Sequence, residues 1–274
     1  MFFKILLKKK KKMKRKIYIL TVFSLLTFSN TFSQTVINTE STLNKIDSTF
    51  HLFLDAMGDY QKGNIEFFMI KSSLTIGSRF KEKNLIRMTF SNNFQKFNGN
   101  TFQNITSGQI RYNYFYNVEK HHSIFSFMQL GKSKRSLLNK RFLLGGGIRN
   151  RITPSENAGY IDLAYGLFYE KEKYPLYSFE NTNFPSFEKN NLRLTFNIFT
   201  KLKLNKHINL ISVLYSQWKS NELSNTRIFI DTSLNYVIGK TTIFLKYSLR
   251  HQSKPYVPFI VDESDIMIGF RISI

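Results

Sequence analysis

Apolar and polar residues alternate with a period of two over most of the chain after Thr49. In the last segment the apolar set is Ile266, Ile268, Phe270, Ile272 and Ile274, with Asp265, Met267, Gly269, Arg271 and Ser273 between its members. A period of two predicts β-strands whose two faces differ in polarity. The alternating runs cover roughly ten residues or more, whereas strands of soluble domains usually have about 5–6. This length is typical of tilted strands that cross a membrane.

Twelve strands are predicted, near residues 50–60, 65–78, 84–93, 104–117, 122–131, 139–152, 159–171, 190–204, 207–218, 226–238, 241–251 and 264–274. Every second connection is short, whereas most of the others are long, namely 95–103, 132–138, 172–189, 219–225 and 252–263. Short periplasmic turns and long outer loops are typical of outer-membrane barrels. We therefore predict an all-β fold over residues 50–274, a closed antiparallel up-and-down transmembrane β-barrel of about twelve strands. Ten or fourteen strands, or a soluble secreted β-sandwich, are the alternatives.

The N-terminal segment predicts a cleaved signal peptide at residues 1–33. The first 16 residues carry nine positive charges and no acid, and an apolar run from 17 to 28 follows. Small residues at the −3 and −1 positions place the cleavage between Ser33 and Gln34. A run of this length is too short for a transmembrane helix, which needs about 20 residues. Residues 34–49 are then a short periplasmic segment, and residues 1–12 are interpreted as a mis-assigned start ahead of Met13.

The overall charge first suggests a nucleic-acid partner, because 40 Lys and Arg against 18 Asp and Glu give +22. Nine of these charges belong to the signal peptide, and the remaining +13 is dispersed without a compact patch, so we expect no nucleic acid. The chain has no cysteine, which excludes disulfides and thiolate metal sites. No phosphate-binding loop, HExxH or EF-hand pattern occurs. We therefore expect neither a cofactor nor a metal.

If the aliphatic set of each strand faces lipid, the opposite set faces the lumen. The charged residues expected there are Arg87, Arg111, Arg141, Arg149, Asp162, Glu170, Arg193, Arg227, Asp231, Lys246, Arg250 and Arg271. Nine bases against three acids favour anions in any passage. Alternatively, these side chains form ion pairs that fill the barrel. A narrow passage, an occluded interior and a wide porin-like or ligand-binding lumen for small anionic solutes all remain open.

Two of the predicted loops are rich in aromatic residues. These residues are Tyr174, Tyr177, Phe179, Phe184 and Phe187 in the first loop, and Tyr256 and Phe259 in the second. Aromatic side chains in long loops can bind a ligand or glycan. We favour the other interpretation, a lid or a membrane-interface girdle.

Catalytic chemistry has one weak candidate, since His251 lies near Ser253 and Asp262 at the predicted outer rim. A serine, a histidine and a carboxylate can form the site of a lipid hydrolase. The spacing is not specific for such a site, and we predict that the protein is not an enzyme. The glycines 145–147 lie inside a predicted strand and indicate a place where the backbone needs room.

The central strands resemble a known family. Residues 140–147 (KRFLLGGG) and 163–172 (LAYGLFYEKE) are similar to the salt-induced outer-membrane proteins, a domain of unknown function. The resemblance implies an outer-membrane barrel without assigned activity, and no functional residue is carried over from it. The expected location is the outer membrane, with its lipids, lipopolysaccharide and the barrel-assembly machinery as partners. The oligomeric state is left open.

Overall fold

The computed structural model describes residues 50–63, 66–118, 121–134, 136–153, 159–179, 182–255 and 262–273. The first seven strands, β1 to β7, are Phe50–Gln61, Phe67–Phe80, Asn84–Phe97, Asn100–Asn117, His122–Ser133, Leu138–Arg151 and Gly159–Tyr174. Two short strands, β8 and β9, are Tyr177–Phe179 and Thr182–Phe184. The last five, β10 to β14, are Phe187–Lys203, Ile208–Lys219, Glu222–Ile238, Thr241–Gln252 and Asp262–Ser273. The predicted signal peptide and the segment 34–49 lie outside the described residues.

Twelve of these strands form one closed antiparallel barrel, and β8 and β9 form a separate hairpin. Each barrel strand pairs with its neighbours in the sequence, and β1 pairs with β14 to close the sheet. Closure leaves no strand edge unpaired, which is the requirement for a sheet surrounded by lipid. The prediction of twelve up-and-down strands is confirmed, and a two-sheet sandwich is excluded for the described residues.

The two faces of the barrel have the reverse polarity of a soluble protein. On β14, Ile266 and Ile268 are 71% and 67% exposed on the outside, whereas Arg271 is 6% exposed. The same contrast runs through the other strands, because successive side chains point to opposite faces. An apolar outer surface around a polar interior is typical of membrane barrels. Among the described residues, no helix has the length and apolar character that crossing a membrane requires.

The barrel has two distinct ends. The terminal end carries the start of β1 and the last residues of β14, together with connections such as 81–83 and 239–240. The far end carries the alternate connections, including residues 134–137 and the segment that contains β8 and β9. These two names are kept below.

Two of the predicted long loops are wrong. β3 continues to Phe97 and β4 begins at Asn100, so only Asn98 and Gly99 connect them, with φ values of 46° and 76°. Two residues with positive φ form the tight turn that suits the twist of a hairpin. Likewise, β11 and β12 are separated only by residues 220–221. The strand ends were missed because polar side chains interrupt the alternation there.

The predicted crowding at residues 145–147 is confirmed. Gly147 of β6 pairs with Gly166 of β7. A Cβ added at Gly147 would overlap the carbonyl oxygen of Tyr165, and one added at Gly166 would overlap that of Gly146. The two strands therefore approach each other at a distance that only glycine permits.

Candidate functional site in the barrel interior

The principal polar feature of the interior is a set of five charged side chains, here called the Glu170 cluster. Its members are Arg141 on β6, Glu170 and Glu172 on β7, Arg193 on β10 and Arg227 on β12. None of the five is more than 4% exposed. Alternation places all of them on the inner face, and strand order then determines which of them can meet.

Glu170 is the centre of this cluster. Its Oε1 accepts a hydrogen bond from Nη2 of Arg141 at 2.7 Å, and its Oε2 accepts one from Nε of Arg193 at 2.8 Å. Arg227 donates to Oε1 through Nη1 at 2.5 Å. Because β10 and β11 lie between β7 and β12, the bond from Arg227 to Glu170 joins two strands that are not hydrogen-bonded neighbours. It therefore ties two separated parts of the wall together.

Glu172 extends the cluster toward the far end. It lies 3.4 Å from both Arg141 and Arg227, and the hydroxyl of Tyr174 donates to it at 3.1 Å. The ring of Tyr174 stacks on that of Phe187, with centroids 4.7 Å apart. The cluster is thus covered on the far side by an aromatic pair.

A second interior group lies nearer the terminal end. Asp162 accepts hydrogen bonds from Arg149 at 2.6 Å and from Arg151 at 2.8 Å. The two guanidinium groups also lie over aromatic rings, Arg149 over Phe199 at 4.4 Å and Arg151 over Tyr160 at 4.0 Å. Such cation–π contacts are attractive, so they pack these charged and aromatic side chains together.

Further ion pairs line the interior near the closure of the barrel. Asp231 lies 3.0 Å from Lys246 and 3.2 Å from Arg250. Nη2 of Arg271 donates to Asp55 at 2.6 Å, which joins β14 to β1. Lys71 of β2 reaches Asp265 of β14 at 2.8 Å.

The structure places all twelve charged residues expected at the lumen inside the barrel. Ten are almost fully buried, while the side chains of Lys246 and Arg250 are 20% and 12% exposed. Arg111 stacks over Phe125 at 4.2 Å, and Arg87 donates to Asn113 at 3.4 Å. Sequence reasoning missed Glu172, because the predicted strand ended one residue earlier. It also missed Arg151, which continues the inward set of β6 and could have been found by that parity.

A small cavity lies between some of these side chains. In the described part of the chain, an interior cavity of about 50 Å³ is lined by Gln109, Arg111, Phe127, Arg141, Phe168, Gln217 and their neighbours. This volume suits a few water molecules, not a solute. No group of three or more His, Asp or Glu residues that could hold a metal ion occurs among the described residues.

The aromatic residues expected in the first loop divide into two sets. Tyr174 and Phe187 are not loop residues, because they are a cross-strand pair at the ends of β7 and β10. The expectation was wrong because both strands continue beyond their predicted ends. Tyr177, Phe179 and Phe184 lie in the β8–β9 hairpin at the far end. Tyr256 and Phe259 lie outside the described residues.

Ser253, the serine of the weak catalytic candidate, lies in the connection after β13 and is hydrogen-bonded to the backbone of β12. The Ser253 hydroxyl donates to the carbonyl of Ser224 at 2.6 Å and accepts from the backbone N–H of Thr226 at 2.8 Å. His251 pairs across the sheet with Asp262. The serine hydroxyl thus donates its proton to the backbone near the start of β12.

A model of one protein family matches residues 54–267; the family is described as "Protein of unknown function, DUF481". Its description does not carry the salt-induced name, so that finer resemblance stays a prediction. The comparison with curated proteins found no match.

Solved structures with the same fold are outer-membrane barrels. The translocator domain of the autotransporter NalP from Neisseria meningitidis is similar with a TM-score of 0.52 and 12% identity, over 85% of this chain and 91% of that one. The COG4313 outer membrane channel from Pseudomonas putida F1 is similar with a TM-score of 0.50 and 7% identity, over 87% and 99%. A likeness to the NanC porin has a TM-score of 0.48 and 13% identity, over 80% and 98%. At these identities the likeness concerns the fold alone.

Proposed function

The chain belongs to the DUF481 family, and we propose that it is an outer-membrane barrel whose interior is closed at rest by the Glu170 cluster. In this proposal the protein has a structural role or forms a narrow passage, not an open pore. One observation carries it: Arg227 of β12 and Glu170 of β7 are bonded inside the barrel over the two intervening strands, and both side chains are fully buried. In this proposal the Glu170 cluster fills the interior beside these strands and narrows the route through the barrel.

Several features support the outer membrane as the location. The exposed outer face is apolar, the strand number is even, and the fold is that of outer-membrane barrels. The signal peptide predicted at residues 1–33 would deliver the chain to the envelope. The terminal end would then face the periplasm and the far end the outside. In this setting the barrel-assembly machinery is the expected partner during folding.

The composition of the interior supports a preference for anions. Three arginines face two glutamates in the Glu170 cluster, and two arginines share Asp162 in the second group. Rings of basic side chains favour anions in a pore. A passage opened by rearrangement of these ion pairs would therefore select small anionic solutes.

Membrane fractionation tests the location. We expect the protein in the outer-membrane fraction, migrating faster on a gel before boiling than after it, because closed barrels resist unfolding by detergent. Recovery in the soluble periplasm would contradict the proposal.

Planar-bilayer recording tests the closed interior. We expect the purified barrel to show small current steps or none, since buried ion pairs fill the interior at the Glu170 cluster and the cavity of about 50 Å³ beside Arg111 and Arg141 admits only water. In a salt gradient, the reversal potential of such steps should indicate anion preference. Steps as large as those of a general porin would refute the closed interior.

The neighbours are porins, channels and translocator barrels, and we infer that this protein is not a lipid-modifying enzyme. Ser253→Ala is expected to leave the lipid composition of the envelope unchanged, because the serine hydroxyl is used in a backbone contact. Mass spectrometry of lipids from cells that produce either form measures this. A lipid whose abundance differs between the two forms would support the hydrolase hypothesis instead.

A further inference from the structure

Four lysines form a patch on the outer face of the barrel at its far end. This lysine cluster consists of Lys132 on β5, Lys140 on β6, and Lys171 and Lys173 on β7. All four are exposed, and the side chains of Lys171 and Lys173 are 48% and 52% accessible. They point away from the interior, because their neighbours Arg141 and Glu172 are buried in the Glu170 cluster. The cluster is therefore distinct from the interior site.

The arrangement of these lysines is electrostatically unfavourable by itself. Lys140 lies directly opposite Lys173 in the β6–β7 pairing, and like charges in this position destabilise a sheet. Glu188 is the acid that contacts them, at 3.0 Å from Lys171 and 3.5 Å from Lys173. Among the described residues, four positive charges against this one acid leave an excess that an anion would offset.

Two adjoining hollows surround the cluster on the outer face. The first, of about 370 Å³, is lined by Leu130, Lys140, Phe142, Lys171, Lys173 and Glu188. The second, of about 630 Å³, includes Leu130, Lys132 and Lys140, and it continues along the apolar side chains of Leu54, Leu74 and Phe90. Because Leu130 and Lys140 line both hollows, the basic and apolar surfaces are continuous.

The surface beneath the lysines is apolar. Following β6 and β7 toward the terminal end, the next outward pair after Lys171 and Phe142 is Leu144 with Tyr169, and then comes Leu167. These three side chains are 52%, 41% and 53% exposed. A ligand that fits here has an anionic head at the level of the lysines and apolar chains below it.

We propose that the lysine cluster binds the phosphate groups of a phosphorylated, multiply acylated lipid of the outer leaflet, with the acyl chains against the apolar surface. The proposal rests on the proposed function, since it requires the far end to lie at the outer leaflet. Ammonium groups bind phosphate as compact point charges, and the bond is charge-assisted. Free phosphate would leave the apolar hollow uncovered, so the lipid is the better occupant. The corresponding headgroup is that of lipopolysaccharide.

Native mass spectrometry of the purified barrel in detergent micelles tests this inference. The probes are lipid A with two phosphates, the same lipid without phosphates, and inorganic phosphate. We expect lipid A to remain bound, and its apparent Kd to rise roughly 100-fold in the triple variant Lys132→Gln, Lys140→Gln and Lys173→Gln, since each lysine near an anionic surface contributes about fivefold. The dephosphorylated lipid should bind the wild type as weakly as lipid A binds the variant.

A matched variant carries the same charge change at the terminal end. It replaces three exposed lysines with glutamine at positions 83, 206 and 240 and should bind lipid A as the wild type does. Equal affinity of lipid A for all three proteins would overturn the inference, as would equal binding of the dephosphorylated lipid or occupancy by inorganic phosphate alone. The measurement needs no membrane location or current, so its failure is separate from failure of the fractionation and bilayer experiments.

Discussion

Replacing Glu170 with glutamine should lower the free energy of unfolding of the barrel by about 3–5 kcal/mol, the usual cost of removing one partner from a buried ion pair. The change removes the negative charge that Arg141, Arg193 and Arg227 share. It leaves three buried guanidinium groups close together with Glu172 as the remaining carboxylate of the cluster. Urea unfolding in detergent micelles, followed by the fluorescence of the single tryptophan, Trp218, measures the change.

A matched control for this variant is Glu188→Gln. Glu188 also contacts two basic side chains, but it is 41% exposed on the outer face, where solvent screens the pair. We expect no measurable change in stability for it. Equal destabilisation by the two substitutions would show that the burial of Glu170 is unimportant.

The double variant Glu170→Gln with Arg227→Gln separates the ion pair from other effects. Removing both partners leaves less uncompensated charge than removing the glutamate alone, so part of the stability should return.

In planar bilayers, Glu170→Gln alone should give anion-preferring current steps more often than the wild type, because the bond between Glu170 and Arg227 inside the barrel is lost. If Glu170→Gln is destabilised but gives no more current steps than the wild type, the Glu170 cluster has a purely structural role.

The second large effect is expected at the close approach of β6 and β7. Gly147→Ala should cost about 3 kcal/mol or more, at the upper end of the range for overpacking, since its methyl group would overlap the backbone carbonyl of Tyr165. The obstacle is backbone and cannot rotate away. The measurement is the fraction of protein that keeps fast gel mobility before boiling, as a function of temperature.

Gly131→Ala on β5 is the control for the glycine variant. A Cβ at this position would meet the side chain of Ser107 at 3.6 Å, which is ordinary van der Waals contact. It should be neutral or raise stability by about 0.5–1 kcal/mol, the gain expected when alanine replaces glycine within a strand. Similar losses at both positions would indicate that the close approach of β6 and β7 is not the cause.

The sequence predicted the strands well where aliphatic residues alternate cleanly and poorly where they do not. β14 was placed within two residues of its observed start because its isoleucines recur at every second position. β3 and β12 were predicted too short, since polar residues interrupt the apolar alternation at 95–96 and at 224–225. In these parts the strand is stabilised by hydrogen bonds to its neighbour. The apolar–polar pattern of one strand does not reveal such pairing.

Only part of the candidate site could be predicted from the sequence. Period-two alternation assigned Arg141, Glu170 and Arg193 to the inward set, and it could do so because the alternation is local. The same reasoning proposed Tyr174 and Phe187 as loop residues, although they stack across two paired strands and cover the Glu170 cluster. The long connection between them contains a hairpin of its own, which obscured where β7 ends.

Alternation and connection lengths along the chain predicted about twelve strands in up-and-down order and the polarity of the two faces, whereas the closed barrel fixed the number at twelve over ten or fourteen. Which interior charges meet was decided only by the closed barrel. Arg227 and Glu170 are 57 residues apart in sequence, and their contact depends on the register of every strand pair between them and on the curvature of the wall from β7 through β10 and β11 to β12. The same holds on the outside, where pairing of β6 with β7 places Lys140 beside Lys173. Which face of the sheet a side chain occupies depends only on its own strand, because successive residues alternate. Which charged side chains contact one another depends on how the strands are paired and closed into the barrel.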